Sequence, residues 1–246
     1  MAKDWRSGAR DGLVVMLTVT TGGVDAACFM HLGHVFSSVV TGTMVLLGIA
    51  AGTHDPALAA NCGVALASYT VGVLAGAPLA ARRTGRWLAR WAGRRGHQAA
   101  EQHEIWPSYV TVALALEFCV LAAFSVGWVL SDGRPARALQ LILLALVGIA
   151  MGIQGATVRQ LGEISTTYLT GTLTGVLAAL STGRTPDGLV RSLGIFAALV
   201  VGAVASAVVT SYVPGLLPVV ILVPLALVVW FASARLGPRP GWRRAA

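Results

Sequence analysis

Two carboxylic acids stand where few charged groups survive. Asp25 lies in a stretch otherwise built of residues such as Val14, Leu17, Val24 and Phe29, and Glu117 lies in the apolar run 113–120. A carboxylate in the middle of a membrane helix costs on the order of 2.5–3.5 kcal/mol on insertion scales unless it is paired, protonated or wet. Such residues therefore mark solute or proton pathways. Glu117 has three readings: it relays a proton, it pairs with Arg159, or it sits neutral. Arg159 and Glu163 are four apart, the spacing of a surface ion pair in its less favoured order. The sharper reading is that Arg159 attracts an anion or pairs with Asp25. His31, His34 and His54 lack the Cys, Asp or Glu spacing of a metal centre and read as interfacial histidines, so no metal is expected. Cys28, Cys62 and Cys119 all fall in apolar segments without a Cys-x-x-Cys pair and read as small buried hydrophobes. No His-Glu-x-x-His, Gly-x-Ser-x-Gly, Walker lysine or dinucleotide fingerprint occurs, and neither enzymatic activity nor a cofactor is expected.

The chain also repeats itself. Residues 23–53 align without a gap on residues 152–182, an offset of 129, with nine identities in 31 positions. The tripeptide Thr41-Gly42-Thr43 returns whole as Thr170-Gly171-Thr172, and Asp25 meets Gln154. A polar tripeptide duplicated within apolar sequence points to a two-fold membrane protein with a central site. Asp25, Gln154, Thr41, Gly42, Thr43, Thr170, Gly171 and Thr172 are the candidate solute-binding residues, expected to converge near the bilayer middle. Glycine lets a helix start in mid-membrane, and threonine supplies a hydroxyl for freed backbone groups or for a solute. The competing reading is helix contact through small residues, for which Gly48-x-x-x-Gly52, Gly72-x-x-x-Gly76 and Gly171-x-x-x-Gly175 all have the spacing.

These residues need a membrane scaffold to hold them. The 246-residue chain is 56% hydrophobic and 11% charged, against about 25% charged for a soluble protein, and its mean hydropathy is +0.74. Six segments are long enough to cross: 12–31, 59–81, 109–131, 138–158, 189–212 and 215–233. Segments 37–53 and 166–181, each holding a Thr-Gly-Thr, are short enough to enter and leave on one side. Six spans with both termini inside put 16 of the 18 Lys and Arg in the cytoplasm, whereas eight spans divide them 11 to 7, so the positive-inside rule favours six. The expected fold is an all-α membrane protein with six transmembrane helices in two inverted three-helix repeats. Each repeat carries a short re-entrant or broken Thr-Gly-Thr segment. Repeat one is 12–131 and repeat two 138–233, within a single integral domain over 1–246. The basic cytoplasmic loop 82–106 reads either as an interfacial helix around Trp87 and Trp91 or as a solvated basic loop. The net charge of +8 then reflects cytoplasmic loops facing anionic lipid, and nucleic acid is not an expected partner. The N-terminal basic run and the apolar stretch after it read as a first transmembrane helix and not as a signal peptide.

Several of these residues resemble a known family. Gly23-Val24-Asp25-Ala26, then Leu32-Gly33, Phe36 and Thr41-Gly42-Thr43 with Leu47-Gly48, are similar to the first signature of the YoaK-like bacterial inner-membrane proteins, a domain-of-unknown-function family. Ala150-Met151-Gly152-Ile153-Gln154 and Ser165 to Thr174 resemble its second. Glu117 sits where such proteins often carry an acid. The first signature usually reads Thr-Gly-Asn, so Thr43 replaces an amide that could both donate and accept. The resemblance implies membrane residence in the bacterial inner membrane and a shared architecture. The expected function is a small-solute permease or channel with its site between the repeats. The alternative is a non-transporting sensor or assembly protein whose glycines serve helix packing. The expected partners are the lipid bilayer and an unidentified small solute, with homo-oligomerisation left open. If the chain transports, the two acids make protons the coupling ion to test first.

Overall fold

The computed structural model describes residues 2–80, 108–160, 169–183 and 188–236. The described residues form eight α-helices and no strand: α1 (Ala2–His31), α2 (Val40–Thr53), α3 (Pro56–Ala80), α4 (Ser108–Leu130), α5 (Arg137–Gln160), α6 (Leu169–Ser181), α7 (Leu189–Tyr212) and α8 (Leu217–Phe231). Six helical spans are long and apolar enough to cross a membrane: α1, α3, α4, α5, α7, and α8 together with the helical turns that extend it at both ends, 21 residues over Pro214–Ala234. The other two have 14 and 13 residues. At 1.5 Å per residue they reach about 20 Å, short of the ~30 Å hydrocarbon core. The loop 82–106, including Trp87 and Trp91, lies outside the described residues, as does Glu163.

Local chemistry explains where the helices stop. Gly33 (φ +107°) and His34 (φ +59°) take left-handed backbone and end α1. His54 does the same at the end of α2, also with a left-handed φ of +56°. The next residue, Asp55, caps α3. Its Oδ1 accepts the backbone N–H groups of Ala57 (3.0 Å) and Leu58 (2.9 Å), and Pro56 takes the first helical position. Inside α8, Pro224 removes one ladder hydrogen bond. Close by, the Thr20 hydroxyl donates to the carbonyl oxygen of Ile221 at 3.3 Å, stitching α8 to α1.

The crossing helices alternate in direction. Asn61 Nδ2 donates to Gly33 O (3.0 Å), Arg137 donates to Asn61 Oδ1 (2.6 Å) and Trp128 Nε1 donates to Pro214 O (2.8 Å). These contacts gather the C-terminal ends of α1, α4 and α7 and the N-terminal ends of α3, α5 and α8 at one end of the bundle. At the opposite end Arg191, at the start of α7, pairs with Asp11 of α1 at 3.3 Å.

The packing is reciprocal. α1 packs chiefly on α7 and then on α8, and α5 packs chiefly on α3 and then on α4, while α1 and α5 themselves only touch. Two-thirds of the α1 and α5 spans is buried, against 28% for α3, α7 and α8, so α1 and α5 form the centre. Glycines permit both main contacts. A Cβ on Gly22 would collide with the Leu199 carbonyl and one on Gly202 with the Val19 carbonyl. Across the other pair, Gly72 meets the Ile149 carbonyl and Gly152 the Tyr69 carbonyl in the same way. Bare backbones in contact gain dispersion that larger side chains would block, the main source of helix affinity where lipid is as apolar as the core. The three Gly-x-x-x-Gly pairs expected to serve helix contact therefore divide. Gly72 and Gly76 pack on α5, but a Cβ on Gly48, Gly52, Gly171 or Gly175 would meet nothing within 4 Å among the described residues.

Candidate functional site

Asp25 organises the site. It is 6% exposed and lies on α1, six residues and thus about 9 Å before the helix ends at His31. After Gly33 the chain doubles back along α1. The Phe36 ring stacks on Phe29 with centroids 5.1 Å apart and planes 14° off parallel, and Ser37 and Ser38 arrive at the Asp25 carboxyl group. Asp25 Oδ1 accepts the Ser37 N–H (2.8 Å), the Ser37 hydroxyl (2.8 Å) and the Ser38 N–H (2.9 Å), and Oδ2 accepts the Ser38 hydroxyl. Two amides and two hydroxyls pointing at one side chain suit an acceptor-only carboxylate. α2 consequently begins beside Asp25, not at the end of α1, and its N-terminal dipole adds positive potential there. The Thr43 hydroxyl donates to Phe36 O at 2.8 Å and ties the first turn of α2 to the descending strand of chain.

A cavity of about 460 Å³ opens against this turn. Its walls come from α1 (Thr21, Asp25, Phe29), from the turn (Phe36, Ser38, Val39), from α7 (Leu199, Ala203, Val204) and from Leu169 at the start of α6. Residues flanking both short helices thus meet one space: Val39, two residues before Thr41, and Leu169, the residue before Thr170. Neither tripeptide lines the cavity itself. Thr41 is exposed, Gly42 half-buried, and Thr43 buried in its contact with Phe36. Thr170 and Gly171 are exposed and Thr172 is half-buried.

Gln154 is also absent from the cavity wall. Buried at 2% exposure, it reaches the site through Thr21, one turn before Asp25, whose hydroxyl lies 2.8 Å from Gln154 Oε1. Thr21 has one proton and two oxygens to serve, Leu17 O (3.1 Å) and Gln154 Oε1, and the Gln154 Nε2 has no partner among the described residues.

Glu117 is fully buried on α4, and among the described residues both its carboxyl oxygens are unpartnered. Gly127 faces Leu143 across the antiparallel α4–α5 pair. Ten residues down α4 and eleven along α5 therefore bring Glu117 to about the depth of Gln154. The expected pairing of Arg159 with Glu117 or with Asp25 is not formed: among the described residues neither acid makes an ion pair, and Arg159 is exposed at the end of α5, about 7.5 Å beyond Gln154. The sequence pattern pointed to Asp25 and to the start of each short helix. It missed Ser37, Ser38, Thr21 and the two phenylalanines. One signal was available, since the offset of 129 carries Ser37-Ser38 onto Thr166-Thr167, a second pair of hydroxyl residues that lies outside the described residues.

A family model described as "Protein of unknown function (DUF1275)" matches residues 13–233. The chain is also 36% identical over 174 residues to the UPF0700 transmembrane protein YoaK of Bacillus subtilis (strain 168), covering 70% of this chain and 68% of that protein. No solved structure matches the chain. The chain belongs to the DUF1275 family.

Proposed function

We propose that this DUF1275 protein is a permease or channel for a small solute, with its binding site between two inverted repeats. The observation that carries the reading is the 460 Å³ cavity, which takes Asp25 and the starts of both short helices into one wall. An acid at this depth, a cavity beside it and half-length helices starting there form the arrangement that transporters use at the midplane. In this reading α2 and α6 are re-entrant. Each enters partway, starts at the site and returns to the face it came from. The reciprocal packing of α1 on α7 and of α5 on α3, each pair running in one direction, supports a pseudo-two-fold axis in the membrane plane. The basic residues at 82–106 and near both termini support an inner-membrane orientation with cytoplasmic termini. The chemistry is passage, with no bond made or broken, and it calls for no enzyme activity or cofactor.

Glu117 is the second working group in this proposal. Unpartnered at about the depth of Gln154, it is free to take and release a proton as one side opens. A second reading, a sensor or assembly protein, draws on Gly48, Gly52, Gly171 and Gly175, which have no neighbour among the described residues and offer helix faces to another copy. Solute flux into proteoliposomes, with Asp25→Asn and Glu117→Gln as controls, separates the two. Flux that depends on Asp25 supports the permease. Absence of flux for every solute class, with the protein folded and inserted, discards it.

A further inference from the structure

We propose that the solute this cavity takes is a small amphipathic organic cation: a protonated amine carried on an apolar or aromatic body. The inference rests on the permease reading of the same cavity and names its substrate class. Three observations carry it. The first is charge. Among the described residues Asp25 is the sole ionisable one in the cavity wall, and no described Arg, Lys or His joins it. Thr21 and Ser38 add hydroxyls, and the remaining side chains are apolar or absent. An anion would meet a carboxylate with no compensating cation, and a strongly polar neutral solute would lose most of its hydrogen bonds to water. A cation with an apolar body loses neither.

The second is hydrogen-bond capacity. Oδ1 of Asp25 already accepts from three donors, whereas Oδ2 accepts from the Ser38 hydroxyl alone. A carboxylate oxygen accepts two hydrogen bonds readily, and Oδ1 here takes three, so Oδ2 with one keeps acceptor capacity for an ammonium N–H. Asp25 makes no ion pair within the described residues: the amides, hydroxyls and α2 dipole offer it only partial positive charge, and a bound cation would supply a full counter-charge. The third is the pair of rings. Phe29 and Phe36 stack nearly parallel and both line the cavity. Aromatic faces attract cations and also stack on an aromatic body, so the rings serve both ends of the solute. His34 touches the Phe29 ring edge-on at 5.6 Å but is not part of the wall, so it places no competing charge there. The volume lies in the range of small-molecule sites.

The test compares three probes with one body and three head groups: 2-phenylethylamine, protonated at pH 7, the neutral 2-phenylethanol and the anionic phenylacetate. Binding to the purified full-length chain in detergent is measured by calorimetry, with protein-free micelles subtracted. The expected result is saturable binding of the amine, at least ~10-fold weaker binding of the alcohol and none of phenylacetate. Asp25→Asn weakens the amine at least ~10-fold and leaves the alcohol unchanged. Phe29→Leu, on the outward side of the stack and clear of the Asp25 hydrogen bonds, weakens the amine several-fold and keeps the inference testable should the Asp25 variant misfold. Equal binding of phenylacetate and amine, an amine affinity indifferent to both variants, or no saturable binding of any probe overturns the inference. Flux assays keep its failure distinct from that of the permease reading. Passage of an anionic or neutral solute with exclusion of amines discards the cation and retains the permease, whereas no flux of any class discards the permease itself.

Discussion

Removing the Asp25 side chain should free the turn that starts α2. In Asp25→Ala all four donors lose their acceptor. The Ser37 and Ser38 hydroxyls can rotate toward other oxygens, but the two amides, held at 2.8 and 2.9 Å, are fixed by the backbone. A buried N–H left unpaired costs about 1–3 kcal/mol, so the two together cost about 2–6 kcal/mol. The turn escapes that penalty by opening to water or lipid headgroups. At the lower bound, amide exchange at Ser37 and Ser38 quickens by roughly 30-fold, since 1.4 kcal/mol is tenfold. Asp25→Asn is the control. Its amide oxygen keeps the position of Oδ1, and its NH₂ can donate to the Ser38 hydroxyl turned around, so exchange changes by less than about threefold. Hydrogen exchange on the purified protein in nanodiscs, read by mass spectrometry over peptides spanning 34–43, measures both. Protection in Asp25→Ala equal to wild type would show that the carboxylate does not hold the turn, and the account of how α2 is positioned would fall.

Three further outcomes follow from the packing and the charges. Gly72→Ala and Gly152→Ala, which push a methyl into a facing carbonyl, should destabilise by about 1–3 kcal/mol in thermal unfolding, whereas Gly48→Ala should be neutral or stabilising by up to about 1 kcal/mol; equal losses at all three would contradict the division of the glycines. Glu117→Met replaces an unpartnered buried carboxyl with an apolar side chain of similar size and should raise stability by about 1–3 kcal/mol. The same change should abolish any response of uptake to a pH gradient, and a response that survives it, or survives Glu117→Gln, excludes Glu117 as the proton carrier. A cysteine at Arg95 should be protected from an impermeant reagent applied outside cells and one at His54 should react, and labelling at 95 would favour eight crossings over six.

Most of the scaffold was legible in the amino-acid order because bilayer thickness imposes it. Runs of about twenty apolar residues had to form helices long enough to cross. The shorter runs at 37–53 and 166–181 fell short of the span for the same reason, and a carboxylate within an apolar stretch marked Asp25 as a residue to explain. Partner choice was not legible. Lipid is as apolar as a helix interface, so hydropathy cannot say which face of a membrane helix meets protein. Three glycine pairs of identical spacing accordingly split into one that packs and two that meet nothing among the described residues. An arginine near two acids in composition invited an ion pair, but depth along the helices keeps Arg159 at the exposed end of α5 while Asp25 and Glu117 stay buried inside the bundle. The partners of Asp25 lie twelve and thirteen residues further along, within reach only because left-handed backbone at Gly33 and His34 reverses the chain against α1. Gln154, its counterpart by offset, meets the site through the hydroxyl of Thr21. Composition and length decided that this chain has six helices long and apolar enough to cross a membrane, with acids inside them, and the backbone reversal and the close approach of bare glycine faces decided what those acids touch.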